Sequence, residues 1–387
     1  MTVTSIASAA TGPSSSALQL RHVLLFHRHG DRTPRLSPLL AQFVAMDEEE
    51  KQFWRSRAAT SAELERLSSA AIVVGATTSE PPHIQPPSTE DWPRGLLTHK
   101  GVEEMTARGR QLRQRYASFV DAWLGVDGAK LRDQVYVLSS GVPRCIQSVQ
   151  CLLRGMFAAQ VDSETPPFVV HTYAKNVMSP AHSQQVFDEA ELLLRDDVAD
   201  RSCEERDATE RLGRHIRVCL GIPDDRPTPW TIRDLLTCRK AHGRPFPEGI
   251  TQAHAEQVEA YDAWLWHKLY SHRDFCVKAF RDGVLEVYSH LKKVVNGDMS
   301  ETKLAFFSAH DNAIVALVAA LQLQTGGVLP DYGAVLAFEV YLDRETDQHF
   351  VKAVFEGNEV TFGGHEHEFL CPFARVEAIA LEFLKTN

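Results

Sequence analysis

Short apolar runs set off by polar residues recur along the chain and predict β-strands. Residues 20–26, 135–138, 168–171 and 303–307 are mainly apolar or β-branched, at a length typical of buried strands. Residues 335–342 and 350–355 flank a polar turn at 343–347 and predict a hairpin. Strands that are apolar throughout belong in a sheet covered on both faces, so the pattern favours a mostly parallel sheet flanked by helices.

Helical periodicity is strongest directly after Thr98. Apolar residues recur at three- and four-residue steps from Val102 to Phe119, and Thr98 is a good N-cap. This spacing predicts a helix from Thr98 to about residue 120. Gly109 lies on its apolar face, where the absence of a side chain would allow a neighbouring element to pack closely.

Residues 181–299 differ from the rest, because long amphipathic stretches there are separated only by proline-rich breaks at 222–229 and 245–247. The predicted fold class is therefore α/β: a mostly parallel sheet flanked by helices, with an inserted all-helical cap domain. The predicted division is a disordered N-terminal tail at 1–18, an α/β core at 19–180 and 300–387, and the cap at 181–299. Within the core we expect short helices at 36–75, a loop at 79–93 and a C-terminal helix beginning at Pro372.

Composition excludes several classes of protein. The 387 residues include 41 basic and 51 acidic side chains, and the resulting net charge of −10 argues against a general nucleic-acid binder. No run approaches the length of a transmembrane helix. The seven cysteines are odd in number and lack metal-ligand spacing, and the uncharged first 20 residues fit a secretory signal poorly. We therefore expect a reducing, cytoplasmic location.

Residues 28–34 read Arg-His-Gly-Asp-Arg-Thr-Pro and directly follow the first predicted strand. Arg28 and Arg32 carry planar guanidinium groups that match phosphate oxygens two at a time. His29 supplies a nitrogen nucleophile at neutral or acid pH. This arrangement suits the formation and breakdown of a phosphohistidine.

The heptapeptide resembles the signature of the histidine acid phosphatases, the acid-phosphatase and phytase branch of the histidine phosphatase superfamily. The Gly-x-Leu-Thr-x-x-Gly pattern at residues 95–101 and the helix after it are also similar to this family. The resemblance covers residues 19–180 and 300–387. It implies hydrolysis of phosphomonoesters through a phosphohistidine, without a metal or another cofactor.

A third arginine is expected from another strand end, because phosphoryl transfer needs charge neutralisation on all the equatorial oxygens. Arg144 follows the second predicted strand. The family usually has Arg-Ser-Thr-Asp ahead of this arginine, whereas residues 138–144 here read Leu-Ser-Ser-Gly-Val-Pro-Arg, so that Ser139 and Arg144 are retained. The alternative for Arg144 is an ion pair at the start of a helix.

His310 and Asp311 resemble the His-Asp pair of the same family. The resemblance implies that His310 donates to the phosphoryl oxygens, and that Asp311 protonates the leaving group and later activates water. In isolation, Asp311 after a strand would be interpreted as a helix cap.

Two other functions remain open from the sequence. A phosphoglycerate-mutase-like phosphotransferase typically uses a glutamate as the acid, so Asp311 argues against it. A catalytically silent phosphate- or lipid-binding scaffold would lack a nucleophile or an acid, and neither is missing here.

The sequence also leaves the substrate open between small phosphomonoesters and lysophospholipids. Residues 152–157, 171–172 and 370–372 are most similar to the lysophosphatidic-acid phosphatase subgroup. The helical insertion is expected to select the leaving group. Trp264 and Trp266 on it would line an acyl or aromatic site, or divide between core and surface.

Overall fold

The computed structural model describes residues 17–44, 46–75, 80–85, 93–124, 131–161, 168–173, 175–181, 183–365 and 367–385. Strands within these ranges are β1 Leu18–Arg28, β2 Ala71–Gly75, β3 Val135–Ser139, β4 Phe168–Thr172, β5 Leu304–Ala309, β6 Val335–Asp343, β7 Gln348–Phe355, β8 Asn358–Val360 and β9 Leu370–Pro372.

Helices flank the strands along the whole described chain. They are α1 Glu48–Arg57, α2 Ser61–Ser68, α3 His99–Arg115, α4 Ala117–Asp121, α5 Leu131–Gln134, α6 Pro143–Met156, α7 Ala158–Val161, α8 Gln184–Ala199, α9 Cys203–Leu220, α10 Ile232–Ala241, α11 Gln252–Ser271, α12 Arg273–Val295, α13 Asp311–Ala320 and α14 Phe373–Leu384, with a short 3-10 turn at Leu40–Gln42.

The strands form one sheet in the order β2-β4-β3-β5-β1-β6-β7-β8, and β9 pairs with β7. Neighbours from β2 to β1 are parallel, whereas β1 with β6 and the later pairs are antiparallel. The predicted α/β fold, with a sheet flanked by helices, is confirmed. The prediction of a mostly parallel sheet is wrong, because among the described strands four pairs are parallel and four are antiparallel, the latter added by β6 to β9 beyond β1.

Successive side chains of β1 point to opposite faces of the sheet, and helices cover both faces. Val23 and Leu25 pack in a cluster with α3 and α6, while Leu24 and Phe26 pack in a second cluster with α12, α13 and α14. All four side chains are fully buried, as expected for a strand with helices on both faces. A third cluster joins α9, α10 and the start of α11 to residues in the 36–44 segment.

Close helix packing depends on glycine at one crossing. A Cβ at Gly109 of α3 would lie 2.3 Å from the carbonyl oxygen of Leu152 in α6, so any side chain would force the helices apart. The predicted role of Gly109 is confirmed. The predicted helix begins at Thr98, which caps it, but is interrupted at Tyr116 before continuing as α4.

Three other predicted segments can be compared with the structure. Residues 71–75 fall in the stretch predicted to hold short helices and are instead strand β2, because the apolar, β-branched run Ala-Ile-Val-Val pairs with β4. The loop at 79–93 is confirmed for 80–85 and 93; its other residues lie outside the described ranges. Of the disordered tail predicted at 1–18, residues 1–16 lie outside the described ranges, whereas Ala17 is buried and Leu18 begins β1, so the prediction is wrong for these two residues.

The region between β4 and β5 contains the predicted helices, α8 to α12. Residues of α11 and α12 belong to the same hydrophobic cluster as the sheet. The division of the chain into a core and a cap domain stays a prediction.

Candidate active site

Three neighbouring parallel strands end at one place and deliver the expected chemistry. His29 follows β1, His310 follows β5, and Arg144 lies one turn after β3. β5 pairs with both β1 and β3, so their carboxyl ends are adjacent. A cavity of about 720 Å³ opens there, and its walls include His29, Arg32, Arg144, His310 and Asp311.

The backbone holds His29 in one position. Its N–H donates to the carbonyl of Ala309 at 3.1 Å, and its own carbonyl accepts from Gly333 at 3.0 Å. The Gly30 N–H donates to Ser148 Oγ at 2.9 Å. Gly30 is required for space, because a Cβ there would lie 2.6 Å from Met105 Cγ in α3.

The tautomer of His29 follows from its one intramolecular partner. Nδ1 lies 2.8 Å from the carbonyl oxygen of Gly30, and a carbonyl only accepts, so Nδ1 carries the proton. The lone pair is therefore on Nε2. Burial and then the charge of Arg144 hold the pKa of His29 well below its usual value, so the ring is neutral.

Arg144 provides positive charge without a counterion. It is 7% exposed, and no carboxylate among the described residues lies within ion-pair distance of it. Burial and then the neighbouring Arg32 lower its pKa to about 9. A buried guanidinium left in this condition beside a cavity is typical of an anion site. Among the described residues Arg144 makes no ion pair, so the alternative of an ion-paired arginine at the helix start does not hold there.

Arg32 is held from the helical region. Both of its terminal nitrogens pair with the carboxylate of Asp234 in α10, and NH1 also donates to the Thr33 carbonyl at 3.0 Å. The buried Nε has no partner among the described atoms. Asp234 also accepts from the Arg35 N–H at 2.6 Å, so one carboxylate fixes two points of the loop after the motif.

Arg28 lies behind the cavity wall rather than in it. One terminal nitrogen donates to the Pro330 carbonyl at 2.8 Å, and the other pairs with Asp311 Oδ2 at 3.0 Å. The guanidinium carbon lies 4.2 Å from the centre of the Tyr332 ring, a cation–π contact. Tyr332 also lies against His29, with ring centres 5.8 Å apart.

His310 faces His29 across the site, with ring centres 5.5 Å apart. Its Nε2 lies 3.2 Å from Ser140 Oγ, which in turn accepts from Asn176 Nδ2 at 3.0 Å. Burial and then the charge of Arg144 hold the pKa of His310 well below its usual value. The Ser140–Asn176 pair thus fixes the orientation of a second neutral imidazole.

Asp311 begins α13 and contacts two guanidinium groups. Its Oδ2 lies 3.0 Å from Arg28 and 3.2 Å from Arg233 of α10, and its Oδ1 accepts from the Asn312 N–H at 2.9 Å. Burial alone would raise its pKa, but the charges of Arg28 and Arg233 outweigh burial and lower the pKa below the usual range. Arg233 also pairs with Asp262 of α11 at 2.5 Å.

The structure thus brings all six residues expected from the sequence to one place, five on the cavity wall and Arg28 behind it. Sequence reasoning missed Arg233, Asp234, Tyr332, Asn176 and Ser140. Within the described ranges, no group of three or more His, Cys, Asp or Glu side chains is arranged to hold a metal ion. No helix of the described residues is long and apolar enough to cross a membrane.

Comparison with known sequences gives a family. The model of the histidine phosphatase superfamily (branch 2) matches residues 19–214, just over half of the chain. The chain is 27% identical to counting factor 60 of Dictyostelium discoideum over 97% of this chain and 88% of that protein. It is 24% identical to the lysosomal acid phosphatase of Bos taurus over 90% and 73% of the two chains. It is 29% identical to the testicular acid phosphatase of Mus musculus over 67% of this chain and 62% of that protein.

Solved structures show the same fold. A phytase of Hafnia alvei superimposes with a TM-score of 0.59 at 13% identity, covering 96% of this chain and 98% of the phytase. A multiple inositol polyphosphate phosphatase of Bifidobacterium longum gives a TM-score of 0.59 at 13% identity, over 98% and 95% of the two chains. Because the family model matches more than half of the chain and the relatives include acid phosphatases, the chain belongs to branch 2 of the histidine phosphatase superfamily and is a phosphomonoester hydrolase of the histidine acid phosphatase type.

Proposed function

We propose that the protein hydrolyses small-molecule phosphomonoesters through a phosphohistidine formed on Nε2 of His29. The observation that carries this proposal is the combination of a neutral His29, with its lone pair on Nε2, and the unneutralised guanidinium of Arg144 in the same cavity. A nucleophile beside a preformed anion site is what phosphoryl transfer requires. The cavity has the size of a small-molecule site.

In the first step, Nε2 of His29 attacks phosphorus while the bond to the leaving oxygen breaks. Arg32, Arg144 and His310 hold the equatorial oxygens, and Arg28 adds its charge from behind. The proton on Asp311 passes to the departing oxygen. The product is a phosphohistidine and a free alcohol.

In the second step, water attacks the phosphohistidine and Asp311 takes the proton from that water. The phosphorus–nitrogen bond breaks, inorganic phosphate leaves, and the lone pair returns to Nε2. Asp311 is then protonated, and the departing phosphate takes this proton away as it leaves, so Asp311 is ionised again and protons balance over the cycle.

The charges around Asp311 explain why such a cycle favours acid. Before an ester binds, Asp311 is ionised, because Arg28 and Arg233 face it. A phosphate monoester loses its second proton with a pKa of about 6. A monoanionic ester can therefore carry in the proton, and its negative charge offsets the arginines, so that the proton moves onto Asp311.

A direct test compares phosphate release from p-nitrophenyl phosphate by the wild type and by His29→Ala. His29→Ala is expected to fold and to lose essentially all turnover, since no other nucleophile is held in this geometry. Retention of more than about a tenth of the wild-type kcat, a loss below about 1.4 kcal/mol, would reject His29 as the nucleophile.

We also propose that the protein works in the reducing environment of the cytoplasm. The odd cysteine count supports this, and all seven cysteines are free thiols. The bovine relative is named for the lysosome, so location needs its own measurement. Thiol counting on denatured, unreduced protein from the natural host is expected to give seven free thiols, whereas two or more disulfides would reject the proposal.

A further inference from the structure

A second, apolar cavity adjoins the catalytic one. Its volume is about 200 Å³, and its walls come mainly from α8, α11 and α12. Both cavities share Phe187 and Asn312. Asn312 immediately follows Asp311, the residue proposed to protonate the leaving oxygen. A leaving group bound at Asp311 therefore has the apolar cavity directly beside it.

The walls of this apolar cavity suit a hydrocarbon. The lining is mainly apolar and includes Val186, Phe187, Leu265, Trp266, Leu269 and Phe275. The charge of Asp262 is already engaged by Arg233 at 2.5 Å, and Asp262 accepts from Trp266 Nε1 at 3.2 Å. Apolar cavities of roughly 150 Å³ stay dry and bind benzene, so this one has room for roughly six to eight carbons.

The entrance carries exposed apolar side chains as well. Phe187 is 51% exposed and Ile84 is 48% exposed, and both line the catalytic cavity. Large apolar groups exposed together at the mouth of a polar cleft are typical of a ligand site. At the junction, Asn312 Oδ1 is buried and has no hydrogen-bond partner among the described residues. The hydroxyl of the alcohol that forms when Asp311 protonates the leaving oxygen is a donor that would satisfy it.

We propose that the apolar cavity is a leaving-group subsite for an aliphatic chain, so that single-chain alkyl phosphate esters in solution are the preferred substrates. The proposal rests on the phosphatase activity proposed above and names its substrate class. The phosphoryl group occupies the arginine site, the ester oxygen lies at Asp311, and the chain enters past Phe187 and Asn312.

The test measures kcat/KM for a series of n-alkyl phosphates from ethyl to decyl. Each methylene that enters the cavity is worth about 0.8 kcal/mol, which corresponds to about fourfold in kcat/KM. The value is expected to rise up to roughly eight carbons and then level off, because the cavity is full. Equal values along the series, with normal phosphate release, would overturn the subsite and leave the phosphatase activity intact. No release from any ester, p-nitrophenyl phosphate included, would instead reject the activity itself.

Two variants locate the effect. Phe187→Ala removes a wall, and Ala190→Phe fills the cavity from the same helix; each is expected to lower the octyl-to-ethyl ratio of kcat/KM by about tenfold or more. Leu192→Ala is the matched control, because Leu192 is also in α8 and also 51% exposed but does not line the cavity. A wild-type ratio in both cavity variants would overturn the proposal.

An alkyl phosphate could also reach the site from a membrane. A second part of the experiment therefore compares an ester free in solution with an ester held in vesicles. Octyl phosphate is supplied free in solution, and hexadecyl phosphate is supplied within phosphatidylcholine vesicles. The proposal expects the chain-length effect, and its dependence on Phe187, with the free ester. A chain-length effect confined to the vesicles would point to surface contact and contradict a subsite within the fold.

Discussion

Arg233 offers a sharp test of how the site sets its working pH. It lies in α10 and contacts Asp311 at 3.2 Å. At this distance and an effective dielectric constant near 20, the attraction is roughly 5 kcal/mol before solvent screening. Arg233 divides this attraction between Asp311 and Asp262, and Arg28 and Arg32 also act on Asp311, so the net effect is smaller. Single arginine neighbours shift carboxyl pKa values by about 1–3 units.

We therefore expect Arg233→Gln to raise the pKa of Asp311 by about 1–2 units in the substrate complex. A raised pKa keeps the acid protonated to higher pH, so the alkaline limb of the kcat profile should move upward by the same amount. The assay is kcat against pH with saturating ethyl phosphate, for which departure of the alkoxide needs the proton. Asp262, left without its guanidinium partner, will favour its neutral form, which keeps a second negative charge away from Asp311 and so limits the shift.

Arg239→Gln is the matched control for Arg233→Gln. Arg239 is also in α10 and similarly buried, but pairs with Glu50 at 3.1 Å, away from Asp311. Its profile is expected to match that of the wild type. An alkaline limb that does not move in folded Arg233→Gln protein would show that Arg233 does not control the proton of Asp311.

Three further predictions concern the same site. Asp311→Asn should slow phosphorylation by alkyl phosphates roughly 10²-fold but affect p-nitrophenyl phosphate much less; equal losses in burst kinetics would make Asp311 only a helix cap. Ser148→Ala removes the acceptor of the Gly30 N–H and should lower the free energy of unfolding by about 1–3 kcal/mol; an unchanged urea midpoint would contradict this. Vanadate should compete with substrate while activity survives EDTA; activity lost to the chelator and restored by zinc would refute the mechanism.

Much of the site could be predicted because it lies where strands end. His29, Arg144 and His310 each follow an apolar run, and the carboxyl ends of adjacent parallel strands must meet. The sheet order itself was not readable from the runs. It depends on pairings such as β5 between β1 and β3, which join residues far apart in the chain. The family motif supplied the adjacency that the apolar pattern could not.

The charged residues of α10 could not be predicted, for a physical reason. Its buried side chains, Ile232, Leu235 and Leu236, give an ordinary amphipathic pattern, and polar residues between them are normally interpreted as a solvated face. Arg233 reaches Asp311 across 78 residues of sequence, and Asp234 reaches Arg32 across 202 residues. No local signal marks either contact, because the first forms where α10 meets the start of α13 and the second where α10 meets the loop after β1.

The central claim is that a phosphoryl group resides on His29 during turnover, and trapping it is the most direct test. Wild-type protein is mixed with p-nitrophenyl phosphate, quenched in alkali to preserve phosphohistidine, digested and fragmented by mass spectrometry. His27, fully buried two residues earlier, is the internal control for site assignment. The account predicts a phosphoryl group on His29 and none on His27, and no phosphoryl group on the corresponding peptide of His29→Ala. A phosphoryl group on any other residue, or turnover without a trapped phosphoenzyme under burst conditions, would contradict it.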